Sequence, residues 1–338
     1  QRRLLLGRLI RPDYPDLVKL IHDDLKYENS SGFDSLPIHA LLLKDQLDEL
    51  LKRNSGLLNQ TAFVNAYIKK LNPDPGSNLD DDYAAKKEYL ETLWGFVKKL
   101  APAFNSLKVH VLYHMLDFER HNGNYNKKLF LEYITLPKNA SYVEPRYLKD
   151  HSARGLTAHL NTDFSGITLL DTVIDDEPLV RDFLHHDFLT AHDFNGYTKF
   201  IRDTYLKELF AMTKIMEGTG DMERWYSLLN NPSKYRELKD RVDIEFSLCN
   251  NKFYKTNDSI ILDVYIKNVS TLIVKVFEIN TLNYYLSKKT EIDTSIDLDG
   301  LIACDEYSYT YDDPPLRRVK HSFTFPEIHK RGVYIIEF

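Results

Sequence analysis

A cluster of histidines and aspartates between positions 185 and 193 is the strongest candidate for metal chemistry. It consists of His185, His186 and His192, with Asp187 and Asp193 beside them. Imidazole nitrogens and carboxylate oxygens are common ligands of zinc and iron. The pattern therefore predicts a metal site and, with it, a metal-dependent hydrolase. The alternative interpretation is a set of polar positions at the end of a helix. No cofactor is predicted.

A second histidine pair, His110 and His114, has the four-residue spacing of one helix face. A zinc protease helix needs a glutamate directly after the first histidine, and this chain has Val111 there. The neighbours Leu112 and Met115 are apolar. We therefore interpret the pair as histidines packed in a core.

The remaining motifs with chemical potential are incomplete. The acids Asp171 and 175–177 lack the spacing and central glycine of a calcium loop, and helix initiation before a proline explains them. The glycine pair at 218–220 lacks the Lys-Ser/Thr of a phosphate loop. Neither Cys249 nor Cys304 carries a nucleophile signature, and whether the two pair stays open. We expect that the chain is not an enzyme.

The bulk composition restricts the partners that the chain can have. Its 338 residues carry a net charge of -6, and mild acidity argues against a nucleic-acid binder, which normally shows a basic stripe. No run of apolar residues approaches the length of a membrane-spanning helix. Two cysteines are too few for a disulfide scaffold. We predict protein partners, no nucleic acid and no membrane span.

The elements that would position these residues are helical up to about position 240. Apolar residues recur at helical spacing over 36–51, 62–71, 80–100, 107–118 and 197–216. The segment 35–41 resembles 106–112, which predicts a repeating unit of stacked helix pairs. We predict two helical regions, 1–150 and 151–240.

After position 240 the apolar period changes from helical to alternating. Five strands are predicted, at 242–246, 259–266, 272–279, 321–325 and 332–338, with a short helix near Tyr284 and Tyr285 in the long polar span 280–315. The residues predicted to face the core are Tyr254, Leu262, Val264, Val274, Val276, Phe323 and Tyr334. Consecutive strands without long helices between them predict an antiparallel sandwich over 241–338. The chain ends inside its last strand, so we expect the sandwich to be truncated and part of a longer protein.

The C-terminal segment resembles a macroglobulin-like domain of the alpha-2-macroglobulin family, particularly its bacterial-type members. The residues that carry the resemblance are Phe253–Asp258, Lys267–Val269, Leu272–Asn280, Asp297–Leu301 and Arg331–Glu337. Thr256 and Asn257 stand where the family has proline and glycine, and the thioester motif Gly-Cys-Gly-Glu-Gln is absent. The resemblance implies a non-enzymatic, protein-binding region of a larger macroglobulin-like protein, with peptidase inhibition or surveillance as its role.

A third hypothesis is a carbohydrate-binding sandwich on the helical platform. It rests on tyrosines expected to be exposed between the strands, namely Tyr284, Tyr285, Tyr307, Tyr309 and Tyr311. The sequence leaves this hypothesis, the metal-dependent hydrolase and the protein-binding region as alternatives, and the binding region is favoured.

Overall fold

The computed structural model describes residues 1–74, 76–79, 82–229, 231–251, 253–255, 258–290, 292, 296, 298 and 300–338. The motif positions Thr256, Asn257, Asp297 and Asp299, which carried part of the predicted resemblance, lie outside these residues.

Helices form the chain up to Asp240, as the apolar period predicts. In chain order they are α1 (Arg2–Leu6), α2 (Leu17–Leu25), α3 (Ile38–Leu41), α4 (Lys44–Arg53), α5 (Thr61–Lys69), α6 (Tyr83–Val97), α7 (Asn105–His121), α8 (Lys127–Ile134), α9 (Pro145–Ser152), α10 (Ser165–Thr168), α11 (Glu177–Thr190), α12 (Asp203–Glu217), α13 (Met222–Leu228) and α14 (Pro232–Asp240). Short 3-10 turns lie at Ser55–Asn59, Pro102–Phe104 and Asn195–Tyr197.

Side-chain capping sets where several of these helices begin. Asp82, Asn126, Asp221 and Asn231 each accept a hydrogen bond from a backbone N–H in the first turn of the following helix. Such caps satisfy donors that have no partner inside the helix. The backbone donors that these four side chains satisfy thereby define the first turn of each helix.

The apolar repeat over 36–51 forms two helices instead of one. Leu42 is extended and Leu43 precedes α4, whose Gln46 side chain accepts a hydrogen bond from the Leu43 N–H. The helix predicted to begin at residue 197 begins at Asp203. Apolar spacing alone does not reveal these breaks, because residues on both sides of each break are buried.

By packing, the chain divides into two units. Unit 1 consists of residues 1–119, 125–184 and 195–203, and unit 2 of residues 120–124, 185–194 and 204–338. The core of unit 1 includes Phe63, Ile68 and Leu93, which are fully buried, and Tyr67 stacks on Phe96 with ring centroids 4.0 Å apart. The predicted division at residues 150 and 240 and the predicted helix-pair repeat stay predictions.

A fully buried polar network holds together three segments of unit 1. The hydroxyls of Tyr133 on α8 and Tyr142 both donate to Oδ2 of Asp176, each over 2.6 Å. Lys138 is also fully buried, and its Nζ donates to the Tyr133 carbonyl and lies 3.9 Å from that ring's centroid. Burial lowers the pKa of Lys138 to about 8, and the carboxylate of Asp176 opposes that shift. Asp176 precedes α11 directly, so the network fixes the start of that helix.

Two histidines of α7 hold the segment 164–171 in place. The Thr168 hydroxyl donates to the Phe164 carbonyl and therefore accepts from Nε2 of His110, 3.0 Å away. One turn later, Nε2 of His114 donates to the Asp171 carbonyl over 2.8 Å. Burial, followed by the neighbouring His114, lowers the pKa of His110 to about 3. His110 is therefore a neutral hydrogen-bond donor in the core.

Unit 2 ends in a β-sandwich formed by two antiparallel sheets. Its elements are β1 (Asp243–Phe246), β2 (Ile261–Lys267), β3 (Thr271–Ile279), α15 (Thr281–Lys288), β4 (Asp305–Thr310), β5 (Arg318–Thr324) and β6 (Val333–Glu337). The strand orders are β1-β2-β5 and β4-β3-β6. Val264 from β2, Val274 from β3 and Phe323 from β5 are buried in one shared core. The predicted order of helices followed by an antiparallel β domain is confirmed.

The sandwich differs from the sequence prediction in one strand and one core residue. β4 lies in the polar span 280–315, where no strand was predicted, and its Tyr307 and Tyr309 pack against the shared core. Tyr254 was predicted to face that core but is only half-buried, and its hydroxyl donates to the Ile261 carbonyl over 2.7 Å. The helix predicted near Tyr284 is α15.

Charged side chains hold the junction between α14 and the sandwich. The Arg241 guanidinium donates two hydrogen bonds to Asp243, over 2.7 and 2.9 Å. Asp243 lies opposite the buried Lys267 in the β1–β2 register, and the Lys267 ammonium donates to the Arg241 carbonyl. Asn268 donates to the Asp240 carbonyl over 3.1 Å. The last helical residue is therefore bonded directly to the β2–β3 turn.

Replacing Asp176 by alanine should destabilise unit 1 by about 3 to 5 kcal/mol, because it leaves two buried hydroxyls without their acceptor and removes the carboxylate that offsets the charge of the buried Lys138 ammonium. Urea unfolding monitored by tyrosine fluorescence measures this loss. The matched control is Asp150→Ala at an exposed carboxylate, for which we expect a change within about 0.5 kcal/mol. Equal free energies of unfolding for the two variants would contradict the role given to the network.

Acidification should destabilise the chain partly through His110. The unfolded chain takes up the proton near pH 6.5, whereas the folded chain does so only near pH 3. The free energy of unfolding should therefore fall by up to ~1.4 kcal/mol per pH unit below about pH 6.5 from this residue.

The measurement is urea unfolding at several pH values between about 6.5 and 5, above the usual titration range of carboxylates. His110→Gln should show a shallower pH dependence than the wild-type chain. His159→Gln, at an exposed histidine, should not. Identical slopes for His110→Gln and the wild-type chain would contradict the prediction.

Candidate interaction surface

The predicted metal cluster does not come together as a ligand set in the structure. His185 is half-buried on α11, and its Nδ1 lies 2.9 Å from the Thr213 hydroxyl on α12, whereas His186 and His192 are exposed. Within the described ranges, no group of three or more His, Cys, Asp or Glu side chains is placed to hold a metal ion. The assignment of His185, His186 and His192 as metal ligands stays a prediction.

The basic residues that approach β5 are neutralised by acids of the same sandwich. Arg318 pairs with Glu245 and lies over the ring of Tyr265, and Lys320 pairs with Asp263 over 2.7 Å. Paired cations on a strand offer little net charge to an acidic partner. This segment is therefore a solvated part of the fold and not a basic patch.

Most of the tyrosines proposed as a carbohydrate platform are engaged in the fold. Tyr307, Tyr309 and Tyr311 pack against the sandwich core, and the Tyr307 hydroxyl donates to Glu327. Tyr284 is half-buried, and Tyr285 is exposed. Alternation along β4 turns its tyrosines inwards, so the tyrosines do not form one exposed platform.

Helix α15 carries an apolar stripe that its own domain does not cover. Leu282, Tyr285 and Leu286 are 66%, 53% and 55% exposed, and no residue of the helix is buried. Their spacing of three and four residues places them on one face. A soluble helix normally turns such a face towards a core. We call these three side chains the α15 surface.

The position of α15 follows from its capping. The Asn280 side chain accepts from the Asn283 N–H over 3.0 Å and starts the helix directly after β3. Lys289 takes a left-handed conformation, with φ of 58°, and ends it. Lys288 and Lys289 are exposed next to the stripe. Two cations therefore stand at the end of the helix that carries the α15 surface.

An open groove adjoins the first turn of α15. It has a volume of about 710 Å³ and lies between the end of β3 and the start of β6. The residues that line it include Glu278, Asn280, Thr281, Cys304, Arg331 and Val333. The groove offers hydrogen-bonding groups beside the apolar stripe, a combination typical of protein interfaces.

The sequence contained a signal for this surface. Leu282, Tyr285 and Leu286 have helical spacing within the span where a short helix was predicted. Their exposure could not be read from that spacing, because an apolar stripe normally predicts burial.

Among the described helices, none has the length and apolar character needed to cross a membrane.

Comparison with known proteins finds a family model that matches the helical part of the chain and another that matches most of its β part. A family model described as the actin-binding protein F N-terminal domain matches residues 1–242, and one described as the AbpF first immunoglobulin-like domain matches residues 272–338. Actin-binding protein F of Dictyostelium discoideum is 34% identical over 316 residues, which cover 92% of this chain and 13% of that protein. The chain thus spans a small part of that relative. No solved structure gives a significant match.

These matches correct the resemblance and the functions predicted from the sequence. The sandwich is matched by an immunoglobulin-like domain, so the assignment to the alpha-2-macroglobulin family is wrong, and so is the inferred peptidase inhibition. Alternating strands joined by polar turns are common to all such sandwiches, so the motifs that carried the resemblance did not separate the two families. Neither the metal-dependent hydrolase nor the carbohydrate-binding module receives support.

Proposed function

We propose that this chain, which belongs to the actin-binding protein F family, is a non-enzymatic region that binds actin through the α15 surface. The relative's name describes binding to actin, and the chain aligns with that relative over both its helical and its β regions. The single observation that supports this location is the exposed face of Leu282, Tyr285 and Leu286.

The chemistry of the α15 surface suits a protein partner. Tyrosine is enriched among the residues that supply most of the binding energy at protein interfaces, and neighbouring leucines add apolar area at the interface core. Charged residues at the rim improve orientation and association rate. Lys288, the last residue of the helix, and Lys289, directly after it, supply that charge. An acidic partner with an apolar cleft would therefore match both features.

The side chains with shifted pKa values also favour a binding role over catalysis. The perturbed groups of unit 1, such as Lys138 and His110, are buried and engaged in the core. Perturbed pKa values of this kind also arise in structural networks. The partner class is protein, and the exclusion of nucleic acid stays a prediction.

The test is co-sedimentation of the chain with filamentous actin. We expect the wild-type chain to pellet with filaments and the triple variant Leu282→Ser, Tyr285→Ser, Leu286→Ser to bind at least about tenfold more weakly. All three side chains are exposed, so the variant should keep the folded far-UV circular dichroism spectrum of the wild-type chain.

A matched control removes exposed apolar area from unit 1. Tyr27→Ser with Ile174→Ser changes side chains that are 62% and 85% exposed, and should leave actin binding unchanged. Failure of the wild-type chain to bind either filamentous or monomeric actin would refute the function. Binding that the α15 triple variant retains would keep the function and refute its location.

A further inference from the structure

The imidazole of His39 on α3 holds the loop that joins α2 to α3, which we call the α2–α3 loop (residues 26–37). Its Nδ1 lies 2.9 Å from the backbone nitrogen of Asp34, and its ring stacks on Phe33 with centroids 4.8 Å apart. A backbone N–H only donates, so Nδ1 accepts this hydrogen bond and the neutral ring carries its proton on Nε2. The bond therefore exists only while Nδ1 is unprotonated.

The backbone of the α2–α3 loop takes conformations that need support from side chains. Asp34 has φ of 75°, a left-handed conformation that is unfavourable for residues other than glycine. Two residues earlier Gly32 has φ of 82°, and its carbonyl accepts from the Ser35 hydroxyl over 2.7 Å. Each left-handed residue is thus fastened by one side-chain hydrogen bond. Of these two bonds, only the one to His39 involves a titratable group.

An alternative acceptor for His39 lies in the same core. Within the described part of the chain, Nε2 of His39 and Oδ2 of Asp24 are buried without a hydrogen-bond partner. The two residues are 1% and 5% exposed, and the charge of Asp24 on α2 favours the protonated form of His39. An imidazolium has two N–H donors, whereas the neutral ring has one. A protonated His39 would therefore gain an acceptor in Asp24 as it loses the bond to Asp34.

Three charged side chains act on His39, one from each segment around it. Asp24 of α2 and Asp34 of the loop favour its protonation, and Arg3 of α1 opposes it. The other residues of α3 are apolar and add no charge. Burial outweighs the two carboxylates and lowers the pKa of His39 from its ordinary value of 6.5. The closed loop therefore keeps His39 neutral at neutral pH.

We propose that the α2–α3 loop is an acid-sensitive latch, closed by neutral His39 and released when His39 is protonated and turns to Asp24. Protonation replaces the acceptor at Nδ1 by a donor that faces the N–H of Asp34, so the closing bond is lost. The new cation finds its acceptor at Oδ2 of Asp24. Release also uncovers Phe33, which is 6% exposed in the closed loop. The latch lies in unit 1 and does not depend on the actin-binding function.

The test is hydrogen exchange of the chain, followed by mass spectrometry between about pH 7.5 and about pH 5 and corrected for the intrinsic pH dependence of exchange. An open loop frees His39 to take up its proton near pH 6.5, and each pH unit below that value favours opening about tenfold. We expect corrected exchange in residues 26–37 to rise at least about tenfold over this range. Peptides from α5 should keep their protection, which shows that the fold persists.

Two variants separate the latch from general acid sensitivity. The amide oxygen in His39→Asn stands where Nδ1 accepts from Asp34 and does not titrate, so the loop should stay protected at every pH. Asp24→Asn removes the charge that receives the protonated ring, so opening should begin at lower pH. The matched control is His159→Gln, at an exposed histidine, which should behave as the wild-type chain does.

A direct titration of the His39 ring completes the test, because His39→Asn also removes the ring that stacks on Phe33. Nitrogen NMR of the wild-type chain with labelled histidine should show His39 passing from the Nε2–H tautomer to the doubly protonated form as the loop opens. A ring that stays neutral down to about pH 5 would overturn the latch. Loop exchange that does not change with pH, or that rises equally in His39→Asn, would overturn it as well.

Discussion

Packing of the β1-β2-β5 sheet against the β4-β3-β6 sheet determines which apolar side chains of this region are buried and which remain exposed for binding. Val264, Val274, Val276 and Phe323 meet between the sheets, and each buried side chain of this size contributes roughly 1.5 to 3 kcal/mol. The tyrosines of β4 close the same core. Because strands fill this space, α15 is left outside it, and its apolar stripe faces solvent. The proposed binding surface is thus a consequence of a core that is complete without the helix.

Polar contacts, rather than apolar area alone, fix the segments that connect the elements. In unit 1, Asp176 accepts from two buried tyrosines and offsets the charge of Lys138. In unit 2, Arg241 and Lys267 bond the end of α14 to the first two strands. Buried polar groups are tolerated only when their partners are in place. Such contacts define one arrangement of the chain more narrowly than apolar packing does.

Periodicity predicted the change from helices to strands near Asp240, because burial on one face imposes its own spacing on each type of element. β4 was missed because Asp305, Ser308 and Thr310 give its segment the composition of a loop, although its tyrosines alternate. Asp175 caps the start of α11, as predicted for that acidic stretch, but the burial of Asp176 depends on tyrosines more than thirty positions away in sequence. The family was misassigned because sandwiches of different families share strand and turn patterns. Exposure of α15 likewise depends on distant strands and could not be read from local spacing.

Hydrogen exchange of the chain, alone and bound to filamentous actin, tests the central claim most directly. Amide protons of α15 are hydrogen-bonded within an exposed helix, and a partner seated on its apolar face should slow their opening. The account predicts increased protection across Thr281–Lys288 in the complex, with the strands of the sandwich core unchanged. Protection confined to other parts of the chain, with α15 exchanging as fast as in the free protein, would contradict it.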